Sequence, residues 1–278
     1  MKVEKKAIDL NEKLIVDKLS YDYLLRRWKL KVSKKLLIIR PNVPGDNYTA
    51  LFSYNAAEQV KTKAVAEGWT VTDLKANDTN KANVELTINN VKPDFIIHYD
   101  HGSSYTLYGQ SSNTITAAIN SSNVDLLSKR AVSTVSCESA LGLGPLAISS
   151  AETKAYLGYD ELHWVHLWYL DKFTEAANAA NYALLEGKTY QQAYDIAFLK
   201  YTEKYNELVT IDTSAAGLML HDRDHLRLLG NPSAKAYSVT ISPIRVVAPI
   251  SKLKLKTPIR TPVPTPTPKP KAASKKKA

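Results

Sequence analysis

Short apolar runs separated by helical stretches constrain this chain more than any other feature. KLLIIR (35–40), DFIIHYD (94–100) and AVSTVSC (131–137) are each too short for an ordinary helix, and the first is stopped by Pro41. Continuous apolar runs of this length suit strands covered on both faces. WTVTDLK (69–75) alternates like a further strand, and KAYLGY (154–159) is another apolar run. Between them the spacing predicts a helix over 54–67 stopped by Gly68, a short helix in NVELTINNV before Pro93, and a helix near 113–121. Strands alternating with helices predict an α/β fold, a mostly parallel sheet with helices on both faces.

The remaining segments set the expected organisation. Apolar residues recur at helical spacing over 7–31 (Leu10, Leu14, Leu19, Leu24, Trp28), which predicts an amphipathic helix that packs on the domain or meets a partner. Residues 171–209 read as two helices broken at Gly187, with Thr189 capping the second. GLGP (142–145) lacks the lysine of a phosphate loop and reads as a turn. YSVTISPIRVV (237–247) alternates as a late edge strand, because Pro243 interrupts it. Beyond Lys256 the Pro/Thr/Lys-rich chain cannot bury a core and reads as an extended tether with a basic tip. The expected parts are therefore an N-terminal helical extension (1–35), a main domain (36–250) and a basic tail (251–278).

Charge needs mapping before it is interpreted. The net +10 is concentrated at the ends: residues 251–278 carry +9 and residues 1–35 carry +6, leaving −5 for 36–250. A polyanion-binding face on the main domain is thus not expected, although the tail can contact polyanions. One cysteine excludes an intramolecular disulfide framework, and no run reaches transmembrane length. With no secretory signal in MKVEKKAIDLNEKL, an intracellular location is the expectation.

The chemistry sits at two strand ends. His101 follows the DFIIHYD run and Cys137 ends the AVSTVSC run. In an open parallel sheet ligands gather at the carboxyl ends of the strands, and neighbouring strands lie about 5 Å apart. Adjacent strands would bring an imidazole and a thiol to one cleft. A free thiol is mostly protonated near neutrality and needs a base, and histidine can both take that proton and return it to a leaving amine. Gly102 would let the backbone turn sharply, and its N–H with that of Cys137 would form an oxyanion hole.

These residues resemble the caspase-like cysteine peptidases. A hydrophobic run ending in His-Gly, followed by one ending in Cys, is the shared pattern. DHGS (100–103) and CES (137–139) are similar to blocks of legumain, and HLRLLGNPSA (225–234) to the closing segment of gingipain-type domains, with Asn231 in place of the usual Asp. The resemblance covers roughly 36–236. It implies a caspase-like αβα sandwich and a thiol endopeptidase acting on a peptide or protein substrate, with His101 and Cys137 as the dyad. The chain departs from legumain at Val135, where legumain has an acid, and no arginine follows DNY (46–48). Asp160 and Glu161 are then the candidate substrate pocket, a negative wall for a basic side chain. Asp100 is a candidate for orienting the imidazole, or merely caps a turn.

Blander assignments cover the other histidines. His98 alternates into the sheet and is expected to pack or hydrogen-bond inside. His163 and His166, and the pair in HDRDH (221–225), have metal-ligand character, but no third ligand stands out. HDRDH is expected to be a solvated charged turn, and neither metal nor cofactor is expected. The rival to catalysis is a non-catalytic scaffold that retains the fold and attaches through 7–31 and the tail.

Overall fold

The structure, a computed structural model, describes residues 28–243. Trp28–Ser242 forms one compact unit. Among the described residues eleven strands run in chain order: β1 (Trp28–Ser33), β2 (Lys35–Arg40), β3 (Thr70–Lys75), β4 (Phe95–Tyr99), β5 (Gly102–Ser103), β6 (Thr106–Ser111), β7 (Thr114–Asn120), β8 (Ala131–Val135), β9 (Ala155–Tyr159), β10 (Leu226–Gly230) and β11 (Ser238–Pro243). The α-helices are α1 (Tyr54–Ala66), α2 (Lys81–Val91), α3 (Leu143–Ser150), α4 (Leu170–Leu185), α5 (Tyr190–Leu208) and α6 (Thr213–His225).

Six strands form the central sheet in the order β10-β9-β8-β4-β2-β3, parallel except for β10. All of β4, β8 and β9 is buried, as is β2 after Lys35, which is why their sequences read as uninterrupted apolar runs. The period-two alternation divides each strand between two cores. Leu36, Ile38, Phe95 and Ile97 face one core, with Ala57 of α1, Phe173 of α4, Tyr201 of α5 and Met219 of α6. Leu37, Ile39, Ile96 and Val132 face the other, with Val84 and Ile88 of α2 and Ala147 of α3. The αβα sandwich with a mostly parallel sheet, implied by the resemblance, is therefore the fold.

Helix ends follow local chemistry. Thr189 and Gln192 close a capping box on α5, and Asp212 accepts from the Ser214 and Ala215 N–H groups to cap α6. After α1 the chain turns at Gly68 with φ of 76°.

Four expectations fail. The segment near 113–121 is strand β7 and not a helix. Ser112 and Asn113, both at positive φ (48° and 64°), make the two-residue turn joining β6 to β7, and such a turn holds a hairpin. HDRDH is the last turn of α6, with Asp222 fully buried, and not a solvated turn. GLGP is the start of α3, with Gly142 at its N-cap and residues 143–145 in its first turn. Residues 28–31 lie in β1, which pairs with β11 in a separate two-stranded sheet, so the helix expected over 7–31 does not reach its end. The rest of that helix and the tail lie outside the described residues. Among the described residues, no helix is long and apolar enough to cross a membrane.

Candidate functional site

Register brings the two strand ends together. β4 and β8 pair from Phe95↔Ala131 to Tyr99↔Val135, so each residue of β4 faces the one 36 positions later. His101 and Cys137 each lie two residues beyond the last pair, Tyr99↔Val135. Both side chains line one cleft of about 340 Å³, together with Tyr48, His163 and an apolar wall from the 162–167 loop. A hollow of about 380 Å³ along β10 holds Arg227 as its only charged side chain, and Arg227 is paired with Asp160. The reactive groups belong to the first cleft.

His101 is fixed from the end of β2. Its Nε2 lies 2.5 Å from Asp46 Oδ2, and Tyr48 stacks on the ring at 5.0 Å. The other oxygen of Asp46 accepts from the Tyr48 N–H at 2.9 Å, so the carboxylate is itself held in place. With Nε2 engaged, Nδ1 is the nitrogen left for proton transfer. Asp46 was not singled out in the sequence, where an Asp in a PGDN turn looks like any turn residue.

Asp100, the candidate for orienting the imidazole, does not do so. Its carboxyl is completely buried, and neither oxygen has a hydrogen-bond partner. Burial pushes its pKa well up, the nearby His101 amide only partly opposing this, and the Asp46 charge adds to the rise. The unfolded chain releases this proton near pH 3.9, whereas the folded chain keeps it to higher pH. The unfolded state thus binds fewer protons above that point, and stability falls as pH rises through the window between the two pKa values. Asp100→Asn is expected to melt higher than wild type at pH 7, with the difference shrinking towards pH 4, as read by thermal unfolding across pH.

Cys137 follows β8 on a tight turn whose next residue, Glu138, has φ of 52°. The Glu138 N–H donates to Glu161 O at 2.9 Å, and its carboxylate accepts from the Ser104 hydroxyl at 2.8 Å. The sulfur accepts the His163 N–H at 3.4 Å. Burial nevertheless pushes the thiol pKa up, with the His163 amide working against it and Asp222 adding to it. The resting group is a protonated thiol, so attack needs a base.

Glycine at 102 is required by close packing and not by a sharp turn. Its φ is not in the left-handed region. A Cβ there would lie 2.6 Å from the Cys137 carbonyl oxygen and 3.0 Å from Ser136 Cβ. Only a residue without a side chain lets β5 pass this close to the thiol-bearing turn. Tyr108 N–H donates to His101 O, which makes Gly102–Leu107 a non-hydrogen-bonded pair and leaves the Gly102 N–H outside the ladder. Among the described residues the Cys137 N–H donates to no carbonyl. Gly102→Ala is expected to cost about 1–3 kcal/mol by overpacking and to slow alkylation of Cys137, checked by denaturant melts and by the rate of iodoacetamide uptake.

His98 is a structural residue. Its Nε2–H donates to Tyr108 O at 2.6 Å and its Nδ1 accepts from the Ser136 hydroxyl at 2.7 Å. Burial pushes its pKa down to about 4, so it remains neutral while tying β4 to β6 and to the residue before Cys137.

Behind the cleft, His163 is fully buried, with Nδ1 3.2 Å from the Tyr48 hydroxyl and Nε2 3.3 Å from that of Tyr201. Asp222 Oδ2 lies 3.5 Å from Nε2. Burial lowers the His163 pKa to about 3 and raises that of Asp222 well above its usual range, so the pair is held neutral.

Asp160 and Glu161 are not among the residues lining the cleft. Asp160 binds Arg227 Nε at 2.6 Å and His225 Nδ1 at 2.9 Å, so its charge is already matched. His221 Nε2–H donates to Leu162 O at 3.0 Å, which spends the HDRDH histidines on holding this loop. Among the described residues no group of three or more potential metal ligands gathers.

Comparison with solved structures finds similarity to the Arg-specific cysteine proteinase gingipain R, at 12% identity and a TM-score of 0.49 over 74% of this chain and 48% of that one. The complex of pro- and mature domains of RgpB from Porphyromonas gingivalis gives 12% identity and a TM-score of 0.47 over the same shares. The chain spans about half the length of the structures it matches. No family model matches the chain, and no curated protein matches it in sequence.

Proposed function

We propose that this chain is a cysteine endopeptidase in which Cys137 is the nucleophile and His101 the acid/base. The observation that carries the proposal is that the imidazole and the thiol line the same cleft at the ends of adjacent parallel strands. As Sγ bonds to the scissile carbonyl carbon, its proton passes to His101 Nδ1. The carbonyl oxygen takes the negative charge, facing the N–H groups of Gly102 and Cys137. Collapse breaks the C–N bond, and His101 gives the proton to the leaving amine, leaving a thioester. Water then attacks the thioester while His101 takes its proton, which releases the acid and restores the thiol.

One observation favours a second function, a non-catalytic module: among the described residues the hydrogen bonds of the sulfur go to the His163 backbone and none goes to His101. A peptide probe with a thiol-reactive warhead separates the two. Labelling of wild type that is abolished by Cys137→Ala and falls about a hundredfold or more in His101→Ala supports the dyad. Labelling that survives loss of His101 undiminished refutes it.

A further inference from the structure

The cleft that carries the dyad has a one-sided chemistry. Besides Tyr48, His101, Cys137 and the neutral His163, its lining is Leu162, Trp164, Val165 and Leu167. Leu162, Trp164 and Leu167 are 40%, 44% and 51% exposed, so this wall is apolar surface left open to a ligand. No carboxylate, ammonium or guanidinium lines it. Of the two acids that precede the wall, Asp160 is held by Arg227 and His225 from β10 and α6, and neither Asp160 nor Glu161 lines the cleft.

The wall is also built to stay where it is. The Trp164 N–H donates to Asp222 Oδ1 at 2.9 Å, the Leu162 carbonyl accepts from His221, and the His163 N–H meets the sulfur. Three points along the loop are thus held from α6 and from the thiol itself. A preformed wall loses little freedom when a ligand arrives.

We propose that the cleft takes a peptide whose side chain on the acyl side of the cut is uncharged and apolar, with Leu162, Trp164, Val165 and Leu167 setting that preference. This rests on the peptidase assignment above. An apolar side chain gains about 25 cal/mol for each Å² removed from water. A charged one would be desolvated against leucine and tryptophan with no opposite charge to compensate it. Trp164 offers a desolvated lysine or arginine a cation–π contact, which recovers only part of that loss. A volume of about 340 Å³ lies at the low end of ligand pockets, roughly 300–1,000 Å³, and suits one side chain beside the reacting bond.

The test uses the full chain and thiol-reactive peptide probes identical except for the residue next to the warhead: Leu, Phe, Asn, Asp, Lys or Arg. Iodoacetamide measures Cys137 reactivity independently of peptide recognition. The expected result is His101-dependent labelling by the Leu or Phe probe, about tenfold or more faster than by the Asp, Lys or Arg probes. Placing a carboxylate in the wall with Leu162→Glu, or with Leu167→Glu should the first variant melt early, is expected to raise the Lys-to-Leu ratio about tenfold or more. A charged or amide probe that labels fastest in a His101-dependent way overturns the apolar preference and leaves the peptidase assignment standing. An unchanged ranking in both wall variants overturns the role given to the wall. If iodoacetamide modifies Cys137 but no peptide probe does so through His101, the peptidase assignment falls and the substrate preference with it.

Discussion

Asp46→Asn is expected to slow peptide-probe labelling of Cys137 by about a hundredfold or more, the range by which a correctly protonated base matters, with little change in melting temperature. The carboxylate accepts at both oxygens, from Tyr48 N–H through Oδ1 and from His101 Nε2–H through Oδ2. Asparagine can preserve the first bond, but then presents an NH₂ to Nε2. Two donors cannot share that bond, so the imidazole must move its proton to Nδ1, the nitrogen that has to receive the thiol proton. A structural role alone would not predict this pattern. The check is the pH profile of labelling beside iodoacetamide uptake: the variant should lose base assistance while Cys137 remains alkylatable. An unchanged profile would remove Asp46 from the mechanism.

Asp73→Ala is expected to destabilise the protein by about 3 kcal/mol or more, the range found when one partner of a buried ion pair is removed. Arg40 ends β2 and is only 1% exposed. Its Nε and Nη2 contact the two oxygens of Asp73 at 2.8 and 2.6 Å, Nη1 donates to Tyr54 O, and the guanidinium lies 4.4 Å from the Tyr54 ring centre. Glu58 also pairs with it but is half-exposed and cannot replace the bidentate contact. Burial pushes the Asp73 pKa up, yet hydrogen bonds from Arg40 and Lys61 outweigh it and hold the pKa below the usual range. Stability from this pair is therefore present above pH about 4, where the unfolded carboxyl ionises, and is lost as pH falls through the lower folded value. Urea melts should show the loss in Asp73→Ala and a much smaller one in the double variant Arg40→Met/Asp73→Leu, because removing both charges leaves nothing unpaired. Equal losses would place the stability elsewhere.

The two histidines at strand ends illustrate what was readable in one dimension and what was not. His98 and His101 sit three residues apart, yet one is sealed in the sheet and the other lines the cleft. Position along the run predicts that difference, since His98 lies within the apolar run and His101 past its end, and the shared shape of the β4 and β8 runs predicts that His101 and Cys137 reach the same end of the sheet. TITAAIN carries alanines that suit a helix, and only the positive-φ pair Ser112–Asn113 makes it the second strand of the β6–β7 hairpin. The negative wall expected from Asp160 failed because Arg227, far along the chain, folds back on the antiparallel edge strand and takes the charge.

The order of apolar runs was enough by itself to specify a sheet covered on both faces, since a strand buried on both sides has no polar alternation to show. It also placed an imidazole and a thiol at strand carboxyl ends, but that β4 and β8 are neighbours came from the sheet order. Which carboxylate grips the imidazole, which acid is left buried without a partner, and what chemistry the cleft wall offers were decided only by the tertiary structure. Those properties arise from contacts between residues tens of positions apart, Asp46 with His101 and Asp160 with Arg227. Hydrogen bonds and charges act over a few ångströms of space, and nothing in local spacing records which distant groups the fold will bring within that range.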